Sequence, residues 1–305
     1  MWREVSLKQQ RTGVGTVKKI IVIVILFFTI ASVVFGFKTF HGKDFKKENS
    51  FEINNIKEIE VDNENWDIEF KSTDSNKIVI SAQGERLDKE IDPVKIENDG
   101  NKMMIKQEQK MNGFVNGFTF RKKNVISISI PKKEIDKIVL NNKSGDVKIS
   151  DIVVKSIVTK SKSGDERIVG LSAEKGEFTS KSGELTVKDS SVQELNIKST
   201  TGDNYITNVN STFMNITSTS GEVLLKDMEE GKSLFIETKS GDIGVRYKGV
   251  PASLKFTAKS NSTDIMVNLK GLKKDQNTEK IKEGTIGDAK NEVKILSKTG
   301  AIYID

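Results

Sequence analysis

Apolar and polar residues alternate along most of this chain with a period of two, the pattern of strands that bury one face and wet the other. Between residues 136 and 250 the alternation itself repeats. Each unit turns on a short polar tetrapeptide. Lys143–Asp146 reads KSGD, Lys162–Asp165 KSGD, Lys181–Glu184 KSGE, Thr200–Asp203 TTGD, Thr219–Glu222 TSGE and Lys239–Asp242 KSGD. The glycines Gly145, Gly164, Gly183, Gly202, Gly221 and Gly241 follow one another at 19, 19, 19, 19 and 20 residues. A fixed period of this length marks a stacked repeat.

The residues around each glycine alternate with period two. Seven and five before it stand Ile138 and Leu140, Leu195 and Ile197, Met214 and Ile216, and Leu234 and Ile236. Three and one before it stand small hydroxyls, as at Ser161 and Ser163 or Ser180 and Ser182. Four after it come Ile149, Ile168, Val187, Ile206, Leu225 and Val245. This predicts a rung of strand, tight turn and strand. One rung cannot bury its own inward face, so rungs must stack, with equivalent residues about 4.8 Å apart. The Ile/Leu/Val rows form the core and the serine rows sit at the converging corner. Glycine supplies the positive φ of the turn. The acids Asp146, Asp165, Glu184, Asp203, Glu222 and Asp242 follow the glycines and accept turn N–H groups, a role that suits Asp better than Glu. The fold class is therefore all-β, a repeat solenoid of about 19 residues per rung.

The pattern weakens at both ends. Residues 51–135 contain strand candidates (Ile56–Val61, Trp66–Phe70, Lys77–Ala82, Met103–Gln107, Val125–Ile130) without the period, and are expected to cap the stack. Leu254–Val267 is a partial rung, and Val293–Ile304 is a good closing copy. Between them, 270–291 is polar and is expected as a surface loop. The solenoid thus spans 136–305.

The N-terminus is of another kind. Ile20–Phe37 carries no charge over 18 residues, with Lys18, Lys19 and Lys38 at its ends. As a helix it is about 27 Å long, enough to cross a bilayer. The expected layout is a basic cytoplasmic tail (1–19), a transmembrane anchor (20–37), a charged linker (38–50) and an extracytoplasmic β domain held at the cell membrane by this single pass. A cleaved signal peptide is the rival reading. Residues 1–37 account for +4 of the net charge of +6, so the basic pI gives no support for nucleic-acid binding. The chain has no cysteine and its one histidine is His41, which removes thiolate chemistry and makes a histidine-based triad in the domain untenable. The pattern calls for no cofactor.

The anchor, the recurrent S-G-D/E turns and the closing Ser297–Ile304 strand resemble the putative-adhesin, or "toast-rack", family of bacterial β-strand repeat proteins. The LiaG-like envelope proteins of Gram-positive bacteria are similar in layout. The resemblance covers residues 50–305. It implies a non-catalytic binding module for a cell-envelope component, wall polymer or protein. Alternatively, it implies a regulatory accessory protein of an envelope-stress response acting through membrane partners. It brings no catalytic residues.

Three sets of side chains could carry chemistry. The acidic ladder could hold Ca²⁺, but calcium β-rolls use a denser Gly/Asp repeat, so no metal site is assigned and turn chemistry explains the acids. The lysines Lys143, Lys162, Lys181 and Lys239 stand two residues before their glycines and face outward. They could bind phosphates of teichoic acids or lipid head groups, or they could be neutralised by the acids across the turn. Trp66, Tyr205, Tyr247 and Tyr303 could stack on sugars, although strand aromatics are commonly packing. A glycoside-cleaving carboxylate pair would have to stand apart from the repeat, and none does, so the expectation is not an enzyme.

Overall fold

A computed structural model describes residues 43–53, 55–86, 92–108, 123–132, 135–261 and 264–305. The expected tail, the anchor and the first linker residues lie outside them. Asp44–Asp305 forms one compact all-β unit.

The repeat folds as its pattern requires. Strands that precede the turn (Lys137–Asn142, Val153–Ser161, Ser172–Ser180, Phe213–Ser220, Ser233–Ser240) build a first wall. Those that follow it (Val147–Ser150, Glu166–Val169, Asn204–Asn210, Val223–Met228, Ile243–Tyr247) build a second. The long strand Leu185–Ser199 serves both walls in turn. Successive rungs pair in parallel and one period apart, as at Val158 with Glu177 and Ile168 with Val187. The inward rows of both walls merge into one core, in which Ile149, Ile168, Val187, Ile206 and Leu225 are fully buried. Each such side chain contributes about 1.5–3 kcal/mol of transfer free energy.

The order of rungs in space departs from their order in the chain at both ends. Glu58–Asn63 with Asp67–Thr73 lies between Lys102–Gln107 with Val125–Pro131 and the first periodic rung. Residues 51–135 are therefore more than a cap, because they contain a full rung in register with the repeat. The sequence hides it because Trp66 stands where the other rungs have glycine. At the other end, the closing rung Asn291–Ser297 with Ile302–Ile304 is inserted between Ser233–Tyr247 and Leu254–Val267. The last rung in sequence is thus buried one place inside the stack.

Two further expectations are corrected. Residues 273–286 are not simply loop. Lys273–Asn277 and Ile281–Ile286 pair antiparallel, and the latter continues the first wall beyond Leu254–Ser260. The former is fully exposed, which is why its composition reads as loop. The expected linker also reaches into the domain. Lys43–Glu52 is a strand joined to Lys77–Arg86, and Phe45 packs edge-on against Trp66 at 6.0 Å.

Candidate functional site

The turn corner is built from three rows of hydrogen bonds. The hydroxyl three before the glycine points inward and satisfies a turn carbonyl, as Ser161 Oγ does with Ser163 O at 3.2 Å and Ser180 Oγ with Ser182 O at 3.1 Å. The hydroxyl one before the glycine reaches to the previous rung. Ser163 donates to Lys143 O, Ser182 to Lys162 O and Thr201 to Lys181 O, at 3.2, 3.1 and 3.0 Å. Aspartate completes the corner by accepting the N–H of the acid in the next rung. Asp146 Oδ1 takes Asp165 N–H at 3.1 Å, Asp165 takes Glu184 at 2.8 Å and Asp203 takes Glu222 at 2.7 Å. Asp242 does the same for Ala301 at 2.8 Å. Glutamate does not fill this role, and Glu184 accepts from Thr186 in its own rung instead. The extra methylene carries its carboxylate past the N–H that an aspartate meets.

The glycines admit no side chain. Gly183 has φ 111°, and a Cβ there would lie 2.2 Å from Gly164 O. The turn thus needs glycine both for its conformation and for the closeness of the rung beneath.

The four aspartates accept backbone N–H groups, and among the described residues none of the six acids forms the ion pair with the lysine row that one reading expected. Lys143 pairs with Glu64 of the neighbouring rung. Lys162, Lys181 and Lys239 make no ion pair among the described residues. Lys143, Lys162 and Lys181 line one groove of about 580 Å³ together with Lys106 and Lys160. Lys239 stands outside it, three rungs from Lys181, because Thr200 and Thr219 interrupt the row. Lys160 was not singled out from sequence, although it lies two residues from Lys162 and must share its face. Of the groove's acids, Glu64 pairs with Lys143, Glu108 pairs with Lys95 at 2.9 Å, and Asp62 accepts from the neutral Asn141 amide at 2.8 Å and keeps its charge. Lys160, Lys162 and Lys181 form a cationic cluster on adjacent rungs and make no ion pair among the described residues. Such a cluster repels itself until an anion binds.

The opposite corner carries a ladder that the sequence reading passed over. Asp151, Gly170, Asp189, Asn208 and Asp227 all have positive φ, between 49° and 70°, at 19-residue intervals. Asp and Asn tolerate this conformation through local hydrogen bonds. Asn208 Nδ2 donates to Asp189 Oδ1 at 2.7 Å and holds that carboxyl below its ordinary pKa. The signal was present in sequence, six residues after each of the first five turn glycines.

The candidate aromatics part ways. Trp66 is buried, and Tyr247 is half-buried against the core. Tyr205 is half-buried and its hydroxyl donates to Asp203 at 3.2 Å. Burial, and then the charge of Asp203, push its phenol up to about 12. Tyr303 is exposed.

Comparison with known proteins places these features in context. The profile of the family described as Toastrack DUF4097 matches residues 56–305. Among solved structures, a putative adhesin from Parabacteroides distasonis is similar over 87% of this chain and 98% of its own, at 14% identity and a TM-score of 0.43. A putative cell adhesion protein from Clostridium sporogenes is similar over 86% of this chain and 99% of its own, at 16% identity and a TM-score of 0.29. A putative adhesin from Bacteroides fragilis covers 85% and 96%, at 13% identity and 0.35. No curated protein matches the chain.

Proposed function

The chain belongs to the Toastrack DUF4097 family, and on that premise we propose that it is a non-catalytic binding module that grips an anionic polymer of the cell envelope through its lysine groove. The observation that carries this reading is the cluster Lys160, Lys162 and Lys181, which lines a groove on the first wall without carboxylate partners among the described residues. The ladder sets the backbone of Lys162 and Lys181 at the rung spacing of about 4.8 Å and that of Lys160 about 6.6 Å along the strand from Lys162, so a polymer with closely spaced negative charges meets several at once. Each exposed contact is weak, up to about 1 kcal/mol, and avidity comes from their number. In this reading the uncharged segment Ile20–Phe37 anchors the domain at the membrane and the β unit faces the envelope.

The test is a titration of the full-length, detergent-solubilised chain with inorganic polyphosphate at rising salt. The reading expects affinity to fall steeply with salt, since exposed charges are screened. It expects Lys160→Ala, Lys162→Ala and Lys181→Ala combined to weaken binding roughly tenfold or more, while Lys239→Ala changes it little. Equal binding by the triple variant and the wild type would overturn it.

A further inference from the structure

The lysine groove carries both signs of charge, and they stand on different rungs. Across the first wall the register runs from Lys102–Gln107 through Glu58–Asn63, Lys137–Asn142 and Val153–Ser161 to Ser172–Ser180. One row of neighbours in that register is Lys106, Asp62, Asn141, Lys160 and Thr179, and all five line the groove. Two residues further along the chain, Glu64, Lys143, Lys162 and Lys181 line it beside them. The lysines without ion pairs, Lys160, Lys162 and Lys181, belong to the last two of these rungs.

Asp62 stands two rungs before Lys160, about 9.6 Å away at the backbone. That exceeds the Debye length of about 8 Å at physiological salt, so the two charges do not cancel. Asp62 is half-buried. Its Oδ1 accepts Asn141 Nδ2 at 2.8 Å, and its Oδ2 accepts no hydrogen bond among the described residues. The lysines near it are otherwise placed. Lys143 pairs with Glu64. Lys106 is close enough to Glu108 to act on it: the hydrogen bond and charge of Lys95, and then the charge of Lys106, hold the Glu108 carboxyl below its ordinary pKa. Asp62 is thus the carboxylate of the groove that no ammonium group meets among the described residues.

A ligand with negative charge alone gains from the three lysines and is repelled where it passes Asp62. A ligand that also carries an ammonium group, about two rungs from its anions, gains at both places. Building on the reading of the groove as an anion site, we infer that the polymer it takes is zwitterionic. Its phosphate-like anions seat on Lys160, Lys162 and Lys181, and a primary ammonium substituent seats on Asp62 Oδ2. Asn141 fixes the carboxylate through Oδ1 and leaves the second oxygen to the ligand. The lysines then set affinity, and Asp62 sets specificity.

The test uses the full-length, detergent-solubilised chain and two short polyphosphates of one length. One is capped at its ends through phosphoramidate links to hexanediamine, so that each cap ends in an ammonium group. The other is capped with hexylamine, which has the same link and no charge. Calorimetric titration at physiological salt should show the ammonium-capped probe binding about fivefold tighter. Net charge alone predicts the reverse order, because the ammonium caps reduce the negative charge that the lysines attract. Asp62→Asn keeps the acceptor for Asn141 and should abolish the preference while strengthening capture of the hexylamine-capped probe. Glu108→Gln, which removes a carboxylate already paired, should leave the preference in place. Equal binding of the two probes by the wild type, or a preference that survives Asp62→Asn, would overturn the zwitterionic assignment and leave the anion site standing. So would a preference lost equally in Glu108→Gln. Failure of both probes to bind would overturn the anion site as well.

Discussion

Thr159 Oγ1 donates a hydrogen bond to Glu166 Oε2 at 2.7 Å in the middle of the core. In the neighbouring rungs these two positions hold Leu140 with Val147 and Phe178 with Leu185. One rung has thus exchanged an apolar pair for a hydroxyl and a carboxyl, and Glu166 Oε1 has no hydrogen-bond partner among the described residues. Burial raises the Glu166 pKa to about 7, the Thr159 bond opposing it only in part.

A pH dependence follows with a definite sign. The folded state holds the Glu166 proton more tightly than the unfolded chain. Its contribution to stability is fully present below about pH 4.5 and is lost as pH rises through about 7. The loss amounts to about 3 kcal/mol. Thermal melts of the wild type from pH 4.5 to 8 should show it, whereas Glu166→Gln should lack this component. Glu166→Leu, which continues the Val147–Leu185 row, should be the most stable of the three at pH 8. A Glu166→Gln profile parallel to the wild type would show that the carboxyl is not held neutral.

Gly183→Val should destabilise the fold by about 3 kcal/mol or more, because it combines positive φ with a backbone contact. Gly100 separates the two causes. Its φ is 64° and nothing lies within 4 Å of its Cβ position, so Gly100→Ala should cost only about 1 kcal/mol. Equal costs in urea melts would mean that rung stacking at Gly183 adds nothing.

Asp165→Ala should be worse than Glu184→Ala by about 1 kcal/mol. The first removes the acceptor of Glu184 N–H, and the second removes only a side-chain contact to Thr186. Paired denaturation curves of the two variants decide it.

Much of this was legible in the sequence, because every rung must present the same residue type to the rung above. The turn, the core rows and the corner hydroxyls could be read from spacing alone. The order of rungs could not. Parallel rungs of one composition fit any neighbour, so nothing local says that Asn291–Ile304 lies inside Leu254–Val267. The rung at Glu58–Thr73 escaped because Trp66 breaks the glycine pattern, although Asn63, Asp67 and Phe70 keep their places. In the groove, the row of lysines beside the turns was visible, but Lys106 comes from a distant segment and Lys160 lies off the turn. Treating Asp and Glu as equivalent hid which of them cap the next rung. It also suggested ion pairs across the turn, where the four aspartates are in fact turned to the backbone.

The most direct test of the account is co-sedimentation of the full-length chain with purified cell walls, before and after their anionic polymers are stripped. The account predicts binding to intact walls that falls sharply on stripping, and a wild-type chain that outcompetes the Lys160/Lys162/Lys181→Ala variant. Binding that is absent from intact walls, or equal for the two chains, would contradict it.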